Sequence, residues 1–394
     1  MKSREELFRC FPEGPDWDTD WEGVERHFCI QKFAEGMRGT PQDPVWHGEG
    51  DVWTHTKMVC EALSAMEAFR ALPRRQRQEL FLAALLHDAG KIRCTRVEDG
   101  RLRAPRHGAA GAHMARELLW RELGMAGTPE LQNFRETVCT LIRYHMEPIH
   151  LGENEDRRKL IQIAAAGELA EDFRISLLCL LSRADAMGRL AEDTAELAER
   201  AAFTEILAEE LGCLEGPKAF SSPYAQRAYL KGKLAWPEGE LYDDTWGEVV
   251  LMCGLPGTGK DTWIREHYPG LPVVSLDEIR REMKISPAES QGPVAAEARE
   301  RARAYLRARQ PFVWNATSLT PELRRKNTEL FEAYKASVRI VFLETGWKEG
   351  LRRNRERGHA DSSQTVPEGS IVRMLEKLTP PERQEAQQVE WRST

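Results

Sequence analysis

The chain has 394 residues, 41% hydrophobic and 30% charged, a balance that excludes both a disordered polymer and a membrane-embedded protein. That length exceeds one ordinary hydrophobic core and predicts two independently globular parts. The net charge of −7 conceals a division, because the stretch from Glu248 onward carries about three positive charges and the remainder about ten negative ones. No apolar run approaches the ~18 residues of a membrane span, and Met1-Lys2-Ser3-Arg4-Glu5-Glu6 is too charged for a secretory leader, so a cytoplasmic protein without a membrane partner is expected. The 8 cysteines never fall at Cys-x-x-Cys spacing, and several sit within apolar helical patterns, which predicts reduced core thiols rather than a zinc ribbon or disulfide framework.

Taken in chain order, residues 1–50 are rich in Trp, Pro, Gly and Asp and predict an N-terminal cap with one short helix near 21–33. Residues 51–215 form an all-α domain in which amphipathic periodicity marks helices at 54–69, 76–86, 107–123, 131–145, 157–166, 174–190 and 192–211, with no strand among them. Turn-forming clusters such as Gly216-Pro217, Trp236-Pro237-Glu238-Gly239 and Asp243-Asp244 then mark 216–247 as a linker. Over 248–394 strands at 249–253, 272–276, 312–314 and 337–343 alternate with helices at 262–267, 278–283, 295–309, 321–334, 347–357 and 368–377. Such alternation predicts an α/β domain with a parallel sheet. Arginines crowd this last part, at 299, 301, 303, 307 and 309 and again at 352, 353, 355 and 357; they suit a polyanionic ligand or solvated helix faces.

Seven of the 10 histidines lie between His47 and His150, inside the helical part. His87 and Asp88 are adjacent at a predicted helix end, where Ala89-Gly90 would let the backbone bend and both side chains turn to one metal. His55 on an earlier helix and Asp185 on a later one would complete a mixed nitrogen and oxygen shell. Such a shell suits Mn, Fe, Co, Ni or Zn better than calcium. His27, His113, His150, His267 and His359 read as packing or surface residues, and His47 as either a site wall or a structural group.

Gly254-Leu255-Pro256-Gly257-Thr258-Gly259-Lys260 follows the apolar run Val249-Val250-Leu251-Met252-Cys253 and opens a helix, the strand-loop-helix context of a phosphate loop. Backbone N–H groups of such a loop converge on a nucleotide's phosphates, and Lys260 reaches the β and γ phosphates of ATP or another NTP. Asp261 stands where Ser or Thr usually offers a hydroxyl to Mg2+, with Thr262 after it, while Asn315 occupies the place of a Walker B aspartate. Asp261 is therefore expected to supply the missing carboxylate. Past the second strand, Asp277 and Arg280 share a helix face and would flank an acceptor hydroxyl, Asp277 as base and Arg280 on a neighbouring phosphate. Arg353 and Arg357 would close over the transferring phosphoryl group, with the stretch 358–368 serving as a lid.

Through His55, His87-Asp88 and Asp185, residues 45–200 resemble the HD phosphohydrolase superfamily. The local segments His47-Gly48-Glu49-Gly50, Arg106-His107-Gly108 and Arg183-Ala184-Asp185 are most similar to the HD domain of bacterial CCA-adding enzymes. The resemblance implies that His55, His87, Asp88 and Asp185 hold one metal, that His107 and His145 join a second one bridged by Asp88, and that Lys91 meets the substrate phosphate. Residues 248–380 resemble the P-loop polynucleotide kinases, through Gly254 to Lys260, Asp277 with Arg280, Asn315-Ala316-Thr317, Arg353-Asn354, Arg357-Gly358 and Val366-Pro367-Glu368. The pair resembles the bifunctional end-healing enzymes. It implies a 5'-hydroxyl polynucleotide kinase joined to a hydrolase of 2',3'-cyclic and 2'- or 3'-phosphates, acting on RNA or DNA ends ahead of a nucleic-acid ligase. Two other readings stay open: a small-molecule kinase fused to an HD nucleotidase, and an HD hydrolase gated by ATP without phosphate transfer.

Overall fold

The computed structural model describes residues 4–286, 289–360 and 365–394. Contacts divide the chain into two units, Met1–Met125 with Glu130–Lys218, and Ala126–Pro129 with Ala219–Thr394.

The first unit is built on three mutually packed helices, Val52–Ala65, Arg74–Leu86 and Ile175–Met187. The second of these buries every residue from Glu79 to Leu86 and the third buries ten, so both are apolar around most of their circumference and run through the core rather than along its surface. Around them lie His107–Glu117, which passes into a π-helical turn at Leu118–Glu122, then Pro129–Tyr144, Glu147–Asn154, Arg157–Ala164 and Thr194–Glu210. The N-terminal residues hold helices at Trp21–Arg26 and Phe28–Arg38, the break between them falling at extended His27, where one short helix was expected. All eight thiols are free and six are buried, as reduced core residues should be.

Two features of this unit depart from the sequence reading. An antiparallel pair, β1 (Arg96–Glu98) and β2 (Arg101–Arg103), interrupts the helices; its two-residue turn Asp99-Gly100 takes positive φ at both positions, the geometry that tight hairpins demand. Gly90 does not make the sharp bend ascribed to it, since its backbone is right-handed helical. Its role is close approach, because a Cβ there would lie 2.0 Å from the His107 carbonyl oxygen.

The second unit is a five-stranded sheet, parallel throughout, of β3 (Glu248–Cys253), β4 (Val273–Ser275), β5 (Val313–Asn315), β6 (Ser337–Glu344) and β7 (Gln388–Ser393), in the order β4-β5-β3-β6-β7. β3 is central and buried from Val249 to Cys253, as a strand covered on both faces must be. Val250, Met252, Val313, Val341 and Leu343 pack with Ile264 of the helix after the phosphate loop. β7 has no counterpart in the sequence reading, for it is a half-exposed edge strand whose alternation is carried by two residues alone, Val389 and Trp391. Within the stretch read as linker, Pro223–Leu230 is a helix capped by the Ser222 side chain, and its Arg227 reaches Glu332 and the Gln384 carbonyl. Among the described residues no helix is long and apolar enough to cross a membrane.

Candidate metal centre and phosphate loop

The three core helices of the first unit bring His55, His87-Asp88 and Asp185 together. His55 Nε2 lies 3.0 Å from Asp185 Oδ1 and 3.7 Å from Asp88 Oδ2, while His87 Nε2 lies 3.4 Å from Asp88 Oδ2 and 3.9 Å from Asp185 Oδ1. His107 and His145 join them from the other side of Asp88, with Nε2 atoms 3.2 and 3.9 Å from its Oδ1 and 3.1 Å from each other. Lys91 Nζ sits 2.7 Å from Asp88 Oδ2 and donates to Gln42 Oε1 at 2.7 Å. All six predicted ligands and Lys91 thus meet in one place.

The donor set fits a cation. His87, His107 and His145 each turn Nδ1 to a backbone carbonyl three residues earlier (Ala84, Ala104 and Ile142), at 2.7, 2.8 and 2.7 Å. A carbonyl only accepts, so Nδ1 carries the proton and each Nε2 presents a lone pair to the centre. Two lone pairs facing at 3.1 Å repel, and His87 Nε2 and Asp88 Oδ1 are buried without a hydrogen-bond partner. A positive ion relieves both. His55 is held differently, its Nδ1 lying 2.9 Å from Glu49 Oε1, the carboxylate–histidine pairing that orients metal ligands.

Electrostatics keep Asp88, Asp185 and His145 in binding form, while at His55 they favour the proton that a metal would displace. Burial alone would raise Asp88 and Asp185, but Lys91 and His87 hold the first well below the ordinary carboxylate range, and Arg189 and His55 do so for the second. Burial draws His145 down to about 3, with His107 and His87 adding to the fall, so its ring stays neutral. His55 moves up despite its burial, because Asp185 and Glu49 face it.

Glu49, Gln42 and Arg189 were not singled out from sequence. Glu49 also binds His47 Nδ1 at 2.8 Å and the Leu190 N–H at 2.9 Å, and Arg189 lies 3.2 Å from Asp185 Oδ1 one helical turn on. His47 is therefore both wall and support. His27 packs on Phe28 and His267 stacks on Trp263, as ordinary ring contacts.

In the second unit the loop between β3 and the helix Lys260–His267 has the form its glycines imply. Gly254 and Gly257 take positive φ, and a Cβ at either would lie 2.4 Å from a carbonyl oxygen, of Leu343 and Gly350 respectively. Lys260 Nζ curls over the loop to the Gly254 and Leu255 carbonyls, both at 2.9 Å. Burial lowers its ammonium to about 8, with Asp261 and Asp277 opposing the shift and Arg357 adding to it. Thr258 turns its hydroxyl inward to the Leu255 carbonyl, Gly259 lies beside Arg353 Nη1, and Thr262 accepts from Arg265.

The two exchanged positions touch: Asn315 Nδ2 donates to Asp261 Oδ1 at 2.7 Å. Asp277 and Arg280 are ion-paired directly rather than spaced around an acceptor, and Arg280 also donates to Gln291 Oε1 at 2.7 Å. Arg353 pairs with Glu349 at 2.7 Å. Asn354 is buried and holds Val366 by two hydrogen bonds. The helix expected to end at 357 continues to Ala360, and the rest of the expected lid falls in part on residues 361–364, outside the described residues. The expected polyanion-binding cluster is neutralised in part, since Arg301 pairs with Glu297 and Glu282, Arg303 with Glu300, and Arg352 with Glu349 and Glu356.

Comparison with known proteins agrees with this division. Residues 52–190 match the HD domain family, and residues 249–381 match the AAA domain family. A multifunctional CCA protein of Halorhodospira halophila (strain DSM 244 / SL1) is 36% identical over 85 residues, 22% of this chain and 18% of that protein's length. The chain therefore carries an HD domain followed by a P-loop, kinase-like AAA domain.

Proposed function

We propose that this protein heals nucleic-acid ends, phosphorylating a 5'-hydroxyl from ATP in its second unit and removing 2',3'-cyclic, 2'- or 3'-phosphate in its first. The observation that carries the kinase half is the Asp277–Arg280 pair at the end of β4, on the helix Leu276–Glu282. A nucleotide sensor has no use for an acceptor base beside a phosphate-binding cation. When acceptor enters, Arg280 turns to its phosphate and Asp277 takes the proton of the attacking hydroxyl. Lys260 and Arg357 balance charge on the donor phosphates, Arg353 supports them, and the backbone N–H groups of Gly257, Thr258 and Gly259 hold the phosphates in line. Mg2+ is the natural partner of this loop, and Asp261, oriented by Asn315, stands where the loop's Ser or Thr would meet it.

In the first unit, His55, His87, Asp88 and Asp185 would hold one divalent transition metal, and His107 and His145 a second one shared through Asp88. Bound there, such metals activate water and neutralise charge on phosphoryl oxygens. Lys91 orients the phosphate, and Arg189 and Glu49 keep Asp185 and His55 in place. Water adds to phosphorus, a phosphorus–oxygen ester bond breaks, and the sugar oxygen leaves with a proton. Together the two reactions ready both ends of a break for a ligase in the cytoplasm.

An oligonucleotide with a 5'-hydroxyl and a 2',3'-cyclic phosphate tests both halves. With γ-labelled ATP the label should appear at the 5' end, and without ATP the cyclic phosphate should open. Absence of label transfer sinks the kinase reading.

A further inference from the structure

Exposed arginines cluster in the sequence around the mouth of the metal centre. A cavity of about 300 Å³ leads to Asp88, His107, Asp185 and Lys91 and is lined as well by Trp46 and Arg103. Arg103 belongs to β2 of the hairpin. Arg101 and Arg103 share one face, two residues and about 6.6 Å apart along the strand. Arg93 lies two residues past Lys91, and Arg106 directly precedes His107. All four arginines are exposed, and among the described residues no ion pair or side-chain hydrogen bond engages any of them. Only Arg96, opposite Arg103, is taken up, by Glu98.

One phosphate at the centre is already met by Lys91. Arg103 in the cavity wall, with Arg101 beside it on the same strand face, adds cations beyond the single phosphate that a cyclic mononucleotide offers, whereas a strand presents a phosphate at every residue. Trp46 adds the other element of strand recognition. It is 47% exposed, with Val45 beside it 67% exposed, and a free indole face in a basic surround stacks on a base of any sequence.

We infer that the hairpin arginines and Trp46 form a ledge for single-stranded nucleic acid, which delivers the phosphate-bearing end of a polynucleotide, in preference to a mononucleotide, to the HD centre. The end preference rests on the phosphohydrolase reading; the ledge itself does not. Successive phosphates lie on Arg101, Arg103 and their neighbours, and a base near the reacting end stacks on Trp46.

The full-length protein is titrated into a 10-nucleotide RNA carrying a 5' dye, which blocks its 5' end as a kinase acceptor, and anisotropy is followed from 50 to 200 mM salt. Arg101→Ala/Arg103→Ala should weaken binding about tenfold and flatten the plot of log affinity against log salt by about 1.4, or 0.7 for each lost contact. Arg101→Lys/Arg103→Lys should stay near wild type. Trp46→Ala should lose about tenfold, which Trp46→Phe recovers in large part. In parallel, kcat/KM for a 2',3'-cyclic mononucleotide should stay within about twofold in the arginine variant, while that for a cyclic-phosphate-ended 10-mer falls about tenfold. Unchanged affinity and salt slope would overturn the ledge. So would equal loss on both substrates, or binding to anionic vesicles with none to RNA. If the wild type hydrolyses neither substrate, the phosphohydrolase reading falls while anisotropy still decides whether the ledge exists.

Discussion

The metal centre and the phosphate loop solve opposite problems in placing charge. In the first unit the charged groups are sealed in the core: His55, His87, Asp88, His145 and Asp185 are each at most 2% exposed, and they come from helices more than a hundred residues apart. They hold one another in register before any substrate arrives. In the second unit the phosphate loop is one contiguous, largely buried segment, but the acceptor side lies open, with the Asp277 side chain 74% exposed and, among the described residues, paired to Arg280. Burial makes the first site preassembled and intolerant of change. Exposure leaves the second to be completed by its ligand.

The largest effects should come from breaking the buried set. His87→Ala should remove metal seen by elemental analysis and lower phosphohydrolysis on the order of a thousandfold. Glu49→Gln should cost about 10- to 100-fold, because it disturbs the orientation of His55 rather than a ligand. Kinase activity should survive both changes; joint loss would mean that the two sites are not chemically separate. Lys260→Ala is the reciprocal break. It should lower label transfer about a hundred- to a thousandfold and leave phosphohydrolysis near wild type.

The contact between Asp261 and Asn315 gives a finer comparison. Asp261→Ser should raise the Mg2+ concentration needed for half-maximal phosphorylation about tenfold, and Mn2+ binding followed by electron paramagnetic resonance should weaken in step. Asp261→Ser/Asn315→Asp returns the carboxylate to the neighbouring strand and should recover most of the loss, a coupling that a double-mutant cycle measures. An unchanged Mg2+ requirement in the single variant would remove Asp261 from the metal.

How much of this was legible follows from the same contrast. The phosphate loop is local, so β3, its glycines and Lys260 could be read from one stretch of sequence. His87-Asp88 was legible at the end of an apolar helix, with His55 and Asp185 on neighbouring ones, whereas His107 and His145 were legible only through the resemblance to HD phosphohydrolases. Of the support around them, Glu49 reaches His55 through a contact that no spacing rule connects, whereas Arg189 stands four residues past Asp185, a spacing that could have pointed to it. The hairpin did leave a signal, Asp99-Gly100 between Arg-Val-Glu and Arg-Leu-Arg, but strands of three residues give too little alternation to compete with the helices around them. The helix Glu147–Asn154 lay hidden behind Pro148, which occupies its first turn and reads as a break when its position is unknown. β7 offers only Val389 and Trp391 in alternation with polar residues, too short a pattern to stand out at a sheet edge.

The smallest predicted effect on activity, none, goes with a change that separates a buried charge with partners from one without. Glu79 lies on the helix that ends at His87-Asp88 and is fully buried, yet neither carboxylate oxygen has a hydrogen bond; Arg75 approaches to 3.3 Å but is shared with Asp172 at 2.7 Å. Burial, with Asp172 adding to it, pushes Glu79 up to about 9 from an ordinary value of 4.5, so in the native state it is neutral at pH 7. The unfolded chain ionises near 4.5 and therefore binds fewer protons than the native state between pH 4.5 and about 9. Stability consequently falls as pH rises through that window. Glu79→Gln copies the neutral acid without the titration. Its urea-unfolding stability relative to wild type should match near pH 4, rise to a gain of about 3 kcal/mol at pH 7, and grow further towards pH 9. Metal content and phosphohydrolysis should not move, because Asp88 is ionised by its own neighbours and not by the helix it follows. A variant as pH-dependent as wild type would show that Arg75 neutralises Glu79 in the core, as Lys91 and His87 do for Asp88.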